Sequence, residues 1–214
     1  MPTAAAKPQK AKKVLPWIEP LRLVRRQDAF DDPDWLFELK YDGFRALLYI
    51  ERGDARFISR KGNRMRRFDD LANEIARGLR VRDAILDGEL VCLDQGGRPQ
   101  FNELFFRRGT PYFVAFDLLW LNGKDLRSLA LLRRKARLKD LIAAKQGIGY
   151  MAHYPGIGKP LFESVKRLDL EGVVAKKMNS PYSHETTWYK IKNLTYSQAE
   201  GRHELFERMQ SRKP

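Results

Sequence analysis

The chain has 214 residues, 43% of them apolar, with twelve Phe, eight Tyr and four Trp, enough to bury one well-packed core. Forty-one Lys and Arg against twenty-seven Asp and Glu leave a formal charge of +14, which points to a polyanionic partner, nucleic acid ahead of an acidic membrane surface. No apolar run approaches the ~18 residues of a membrane span, and a single cysteine, Cys92, excludes both a disulfide framework and a cysteine zinc site. The start, "MPTAAAKPQKAKK", lacks the apolar stretch of a secretory leader. The expected compartment is therefore a reducing cytoplasm, with the nucleoid as the natural place for so basic a chain. His153, His184 and His203 are too scattered for a histidine metal cluster.

Residues 1–13 read as a disordered basic tail able to add phosphate contacts. "LPWIEPLRLV", interrupted by proline, is an extended lead-in. "WLFELKYDG" and "FRALLYIERGDARFISR" mix apolar and polar residues at short period around the turn Arg52-Gly53-Asp54, which predicts antiparallel strands. In "FDDLANEIARGL", Phe68, Leu71, Ile75 and Leu79 fall at helical spacing, with acids near the start and Gly78 near the end. "AILDGELVCLD" and "PYFVAFDLLWL" are further strands closed by turn residues. "SLALLRRKARLKDLIAA" is an amphipathic helix, with Arg133, Arg134, Lys135, Arg137 and Lys139 expected on its solvated face. "KPLFESVKRLDL" is another helix, and "EGVVAKK" and "TTWYKIKN" are short strands. Strands and helices intersperse without regular βαβ alternation, so the class is α+β, in one domain over residues 14–195.

Within "ELKYDGFR" stands Lys40, and a lone lysine on a strand is normally a solvent-facing charge. Other segments make it more interesting. Glu89 lies on the "LDGEL" strand, Phe116 inside an apolar strand, Glu171 at the start of "EGVVAKK", and Lys190 and Lys192 share one face at period two. If these converged, a lysine amine of free pKa ~10.4 could be made nucleophilic by desolvation or neighbouring cations. Two carboxylates suit a hard cation such as Mg²⁺ or Mn²⁺. Phe116 offers a flat face for a base, and the lysine pair could hold an α-phosphate and offset the charge that develops there. Together the parts describe nucleotidyl transfer through a lysine–nucleotide intermediate. Taken singly, each has a plainer reading that is the better one: Phe116 as core filler, Glu89 as an exposed strand carboxylate, Asp42-Gly43 as a simple turn, and Lys190 and Lys192 as the wet face of a strand.

The ordered series "KYDGFR", "SRKGN", "LDGEL", "FVAFDLLWLNG", "EGVVAKK" and "WYKIK" resembles the motif set of the covalent nucleotidyltransferases. Within them it is most similar to ATP-dependent DNA ligases and, among these, to bacterial end-joining ligase domains, over about residues 15–195. The resemblance implies an α+β adenylation domain with a nucleotide site between antiparallel sheets. It implies that Lys40 carries AMP, that Glu38 accepts from the adenine amino group, and that Asp42, Gly43 and Arg45 lie at the nucleotide. It further implies that Phe116 stacks on adenine, that Glu89 and Glu171 serve ribose and metal, and that Lys190 and Lys192 hold the α-phosphate. Arg60 would meet the nick 5′-phosphate, and Lys61, Arg64, Arg66 and Arg67 would add nucleic-acid contacts. The substrates implied are ATP and nicked duplex DNA, with an RNA-containing acceptor, or a degenerate binding module, as the alternatives.

Two departures stand out. "SHETT" at 183–187 carries Glu185 where the family has glycine and basic residues. After Lys192 twenty-two residues remain, whereas the family continues into a small barrel of the OB type, whose strands average roughly 5–6 residues each. The expectation is a core without that barrel. Residues 196–214 would form a helical tail, and a protein partner or the basic surface around Arg52, Arg56 and Arg60 would take over the clamp.

Overall fold

The computed structural model describes residues 15–199. Alternation along strand β2 (Asp32–Leu39) sends Trp35 and Phe37 into one apolar layer, while Glu38 faces the opposite side. Strand β3 (Phe44–Glu51) divides in the same way. Ala46, Leu48 and Ile50 enter one core, whereas Leu47 and Tyr49 enter another. Strands buried on both faces need two covering layers each, and this requirement sets the architecture.

The first sheet orders β1 (Leu23–Arg25), β11 (Trp188–Lys192), β10 (Gly172–Lys177), β2 and β9 (His153–Gly156). Helix α4 (Gly158–Arg167) covers its outer face through Leu161 and Val165, against Trp35, Phe37, Val173 and Ala175. The second sheet orders β4 (Asp54–Ser59), β3, β5 (Asp83–Val91), β6 (Tyr112–Leu121) and β7 (Lys124–Asp125), with β8 (Ile148–Tyr150) also on β6. Helices α1 (Asp69–Leu79) and α3 (Leu131–Ile142) close its outer face around Leu48, Ile75, Leu86 and Leu138. Between the sheets lies a third cluster, with Leu47, Tyr49, Ile85, Val114, Phe116, Val174, Tyr182 and Trp188. The α+β class and antiparallel pairing hold, with two parallel pairs, β1 with β11 and β6 with β8.

The chain departs from the sequence reading at several points. The strand expected over "WLFELKYDG" ends early: β2 stops at Leu39, and residues 40–43 carry the chain from the first sheet to β3 in the second. That step is tight, because a Cβ on Gly43 would lie 2.1 Å from the Leu90 carbonyl oxygen. Helix α1 holds as read, with Gly78 next to its last residue, and it is capped by Arg80 in left-handed conformation at φ 52°. Four short elements, β7, β8, β9 and α2 (Phe101–Phe105), carry too little periodicity to read from sequence. The largest correction concerns α3. Arg133, Arg137 and Lys139 are exposed as expected, but Arg134 and Lys135 are fully buried. They sit at i+3 and i+4 from Leu131, with Leu138 at i+7, and so share the inward stripe. The expected tail over residues 1–13 and the terminal helix at "EGRHELFERM" lie outside the described residues. Among the described residues no helix is long and apolar enough to cross a membrane.

Candidate active site

Strand register gathers the predicted residues. In the first sheet Glu38 and Lys190 both stand directly opposite Val174, so β2, β10 and β11 present them on one face. In the second sheet Arg45, Glu89 and Val114 line up in the same way across β3, β5 and β6. The two faces look at each other and enclose an inner cavity of about 50 Å³ lined by Glu38, Lys40, Arg45, Glu89, Phe116 and Trp188. It meets an outer groove of about 960 Å³, lined among others by Lys40, Glu89, Arg60, Lys61, Lys190 and Lys192. Lys40 lines both.

The Lys40 amide donates to the Gly172 carbonyl at 2.9 Å, which ties the crossing to the start of β10. Its Nζ donates to Glu171 Oε2 at 2.6 Å, and Lys192 Nζ lies 3.9 Å from the other oxygen. Glu171 is buried and Lys40 is 18% exposed in its side chain, so the amine is reachable but shielded. Glu89 stands between the sheets. Burial pushes its carboxyl up to about 8 against the opposing pull of Lys40 and Arg45, and Glu171 and Asp87 raise it further. Burial, then Lys192, Lys40 and Arg60, lower the Lys190 ammonium below the usual lysine value.

Glu38 is fully enclosed at the inner end. Burial raises its carboxyl, but Lys135 and Lys176 outweigh that and hold it below the usual carboxylate range. Lys176 Nζ lies 2.6 Å from Glu38 Oε2 without an aligned hydrogen bond, 4.1 Å from the Phe116 ring centre and 3.9 Å from that of Trp188. Burial lowers Lys176 to about 8, although Glu38 pulls the other way. Phe116 and Trp188 meet edge to face, at 5.9 Å. Arg45 is committed inward: it grips both Asp87 oxygens, at 3.1 and 2.8 Å, and donates to the Leu21 carbonyl at 2.5 Å. Burial works against its charge, but Asp87 raises the guanidinium above the ordinary arginine value.

The remaining predicted residues separate. Gly43 lines the groove, whereas Asp42 lines neither pocket; it is buried and accepts from the Tyr196 hydroxyl at 3.2 Å. Arg60 and Lys61 reach the groove. Arg64 pairs with Asp69 at 2.9 Å. Arg66 and Arg67 line an adjoining shallow hollow with Phe44 and Met65, where Arg67 also donates to the Leu104 carbonyl at 2.8 Å. The sequence reading missed Lys135, Lys176, Trp188 and Asp87. Lys176 stands at period two from Val174, and Asp87 at period two from Glu89, so strand alternation carries the signal for both.

This arrangement can do a defined thing. An aromatic slot with a carboxylate and an ammonium at its end accepts a flat polar base, and a basic groove accepts phosphates. A lysine stands where the two meet, beside two carboxylates suited to a divalent cation. Among the described residues no three acidic, histidine or cysteine groups come together. Mg²⁺ asks for no more than one or two carboxylates, with phosphate oxygens and waters making up the rest.

The comparisons give the family. Residues 22–192 match the model of the ATP dependent DNA ligase domain. The chain is 36% identical over 186 residues to the Multifunctional non-homologous end joining protein LigD of Pseudomonas aeruginosa, covering 82% of this chain and 22% of that protein. It is 28% identical over 193 residues to the SPbeta prophage-derived DNA ligase-like protein LigB of Bacillus subtilis, covering 85% of this chain and 70% of the other. Among solved structures, a mycobacterial DNA ligase D complexed with ATP and MES superposes with a TM-score of 0.72 at 30% identity, over 81% of this chain and 60% of that one. The chain belongs to the ATP-dependent DNA ligase domain family. It spans about a fifth of the length of the LigD protein it matches.

Proposed function

We propose that this domain adenylates itself on Lys40 and passes the AMP to a 5′-phosphate at a break in duplex DNA, which a 3′-hydroxyl then joins. The observation that carries the reading is the place of Lys40, which lines both the aromatic slot and the basic groove. The names of its relatives, which speak of DNA ligase and of non-homologous end joining, support DNA as the acceptor and repair as the setting. Cys92, buried and free, fits a reducing cytoplasm.

In the first step Lys40 Nζ forms a bond to the α-phosphorus of ATP, and the bond from that phosphorus to the bridging oxygen breaks, releasing pyrophosphate. The ammonium must first lose a proton, and Glu171, 2.6 Å away, is the acceptor in contact with it. Lys190 and Lys192 face the groove and offset charge on the α-phosphate. Glu89 and Glu171 would hold a divalent cation, Mg²⁺ or Mn²⁺, whose chemistry is to neutralise the phosphate oxygens. The fit rests on Glu89, whose ionised form is disfavoured by burial and by the neighbouring Glu171, a pair that a cation relieves. In the second step an oxygen of the DNA 5′-phosphate takes the AMP and frees Lys40. In the third the 3′-hydroxyl attacks that 5′-phosphate and AMP leaves.

For the base, Phe116 supplies a stacking face and Glu38 an acceptor for the exocyclic amino group of adenine. The Lys176 ammonium occupies the aromatic faces of the slot, 4.1 Å from the Phe116 ring centre and 3.9 Å from that of Trp188, where a base would stack. Binding therefore moves the Lys176 ammonium off the faces of Phe116 and Trp188. Arg60 and Lys61 extend the positive groove from Lys40 toward the exposed Arg66, and duplex phosphates follow that path.

A nicked duplex with a labelled 5′-phosphate at the break tests the reading. With ATP and Mg²⁺ the label should become phosphatase-resistant on nicked DNA, and more slowly on the same nick in RNA. No sealing and no adenylated DNA would contradict it.

A further inference from the structure

Lys135 is buried on α3 and lines neither pocket, yet it reaches three parts of the slot's wall. Its Nζ donates to Glu38 Oε1 at 2.5 Å, to the Phe116 carbonyl at 3.3 Å and to the Met151 carbonyl at 3.2 Å. An ammonium has three protons, and here each has an acceptor from a different part of the chain: β2, β6 and the segment after β8. All three acceptor residues line the inner cavity. The Tyr150 ring, 4.7 Å away, closes the remaining side. Lys135 therefore has no proton to spare for a ligand.

The other oxygen of Glu38 faces Lys176, which does line the cavity and which a bound base must displace from the rings. Of the two cations on Glu38, one moves with the ligand and one stays. Without the fixed one, the carboxylate would follow Lys176, since among the described residues no other donor reaches Oε1.

We propose that Lys135 is a positioning residue that fixes the Glu38 carboxylate against the slot and thereby sets the preference for a purine carrying a 6-amino group. The inference rests on the nucleotide reading above. Lys135→Met removes the anchor while keeping the unbranched apolar stem of the side chain, and it leaves Glu38 and Lys176 as a neutral pair. Lys135→Gln keeps a donor and serves as the second variant should the first fail to fold.

The experiment compares transfer of label to the protein from α-labelled ATP and from α-labelled purine riboside triphosphate, which lacks only the amino group. Wild type should prefer ATP. A hydrogen bond to a charged group is worth roughly a factor of ten or more, so Lys135→Met should lower that preference about ten-fold, through kcat/KM for ATP alone. Lys135→Gln should fall between, and in a Glu38→Gln background Lys135→Met should change the preference no further. An unchanged preference in both Lys135 variants, with both nucleotides slowed equally, is what a merely structural lysine gives and would overturn the proposal. Wild type that labels equally with both nucleotides overturns this inference and leaves the ligase reading standing. Wild type that takes no label from ATP overturns both.

Discussion

At the residue scale the site is a set of charges that burial has pushed away from their ordinary behaviour. Glu89 titrates near 8 instead of 4.5. Between those values the native chain keeps a proton that the unfolded chain has released, so stability falls as pH rises across the window, is unpenalised below it and is lowest above 8. Denaturation midpoints in urea from pH 5 to 9 should decline for wild type more steeply than for Glu89→Gln; parallel curves would refute the assignment. The same proton competes with a cation, so Mg²⁺ should bind more weakly at pH 6 than at pH 8, and that difference should vanish in Glu89→Gln. Of these residues Lys40, Glu89 and Glu171 were legible in the sequence because each sits in a short motif of fixed order. Lys135 and Lys176 were not, since a buried lysine has no signature of its own and an ion pair between β2 and α3 joins residues far apart in the chain.

At the element scale two features hold the site in place. Residues 40–43 cross between sheets, and Gly43 passes so close to Leu90 that a methyl group cannot be accommodated without moving backbone. Overpacking of this kind costs ~1–3 kcal/mol. Gly43→Ala should lower the melting temperature and slow adenylation more than it lowers stability, because the shift is passed to Lys40. Equal adenylation rates would contradict that. The second feature is Arg134, whose Nε and Nη2 meet Asp117 at 2.8 and 2.9 Å with neither side chain exposed. Nη1 adds the Leu129 and Ser180 carbonyls. Removing one member of such a buried pair typically costs ~3–5 kcal/mol. Arg134→Met and Asp117→Asn should each lose stability on that order in equilibrium unfolding, and a loss under ~1 kcal/mol would show the pair to be dispensable. Helix α3 itself was legible, but its orientation was misread. Charge suggested water, whereas the spacing of Leu131, Leu138 and Ile142 already placed Arg134 and Lys135 inward.

At the scale of the whole molecule, two sheets between outer helices leave a groove lined by Arg60, Lys61, Lys190 and Lys192, which suits the phosphate contacts proposed for a chain of +14. The class and most strands followed from alternation and turn residues. The assignment of strands to two separate sheets did not, because pairings such as β1 with β11 are fixed by long-range packing. DNA binding should weaken steeply with salt, with a logarithmic slope near −0.9 per phosphate neutralised. Arg60→Ala should reduce that slope by about one, while Arg64→Ala should change it less, since Asp69 already pairs with Arg64. The most direct measurement of the central claim is the intact mass of the protein after incubation with ATP and Mg²⁺, followed by peptide mapping. The account predicts one added AMP, acid-labile and located on Lys40, and none on Lys40→Ala. An unmodified wild-type chain, or AMP that persists in Lys40→Ala, would contradict it.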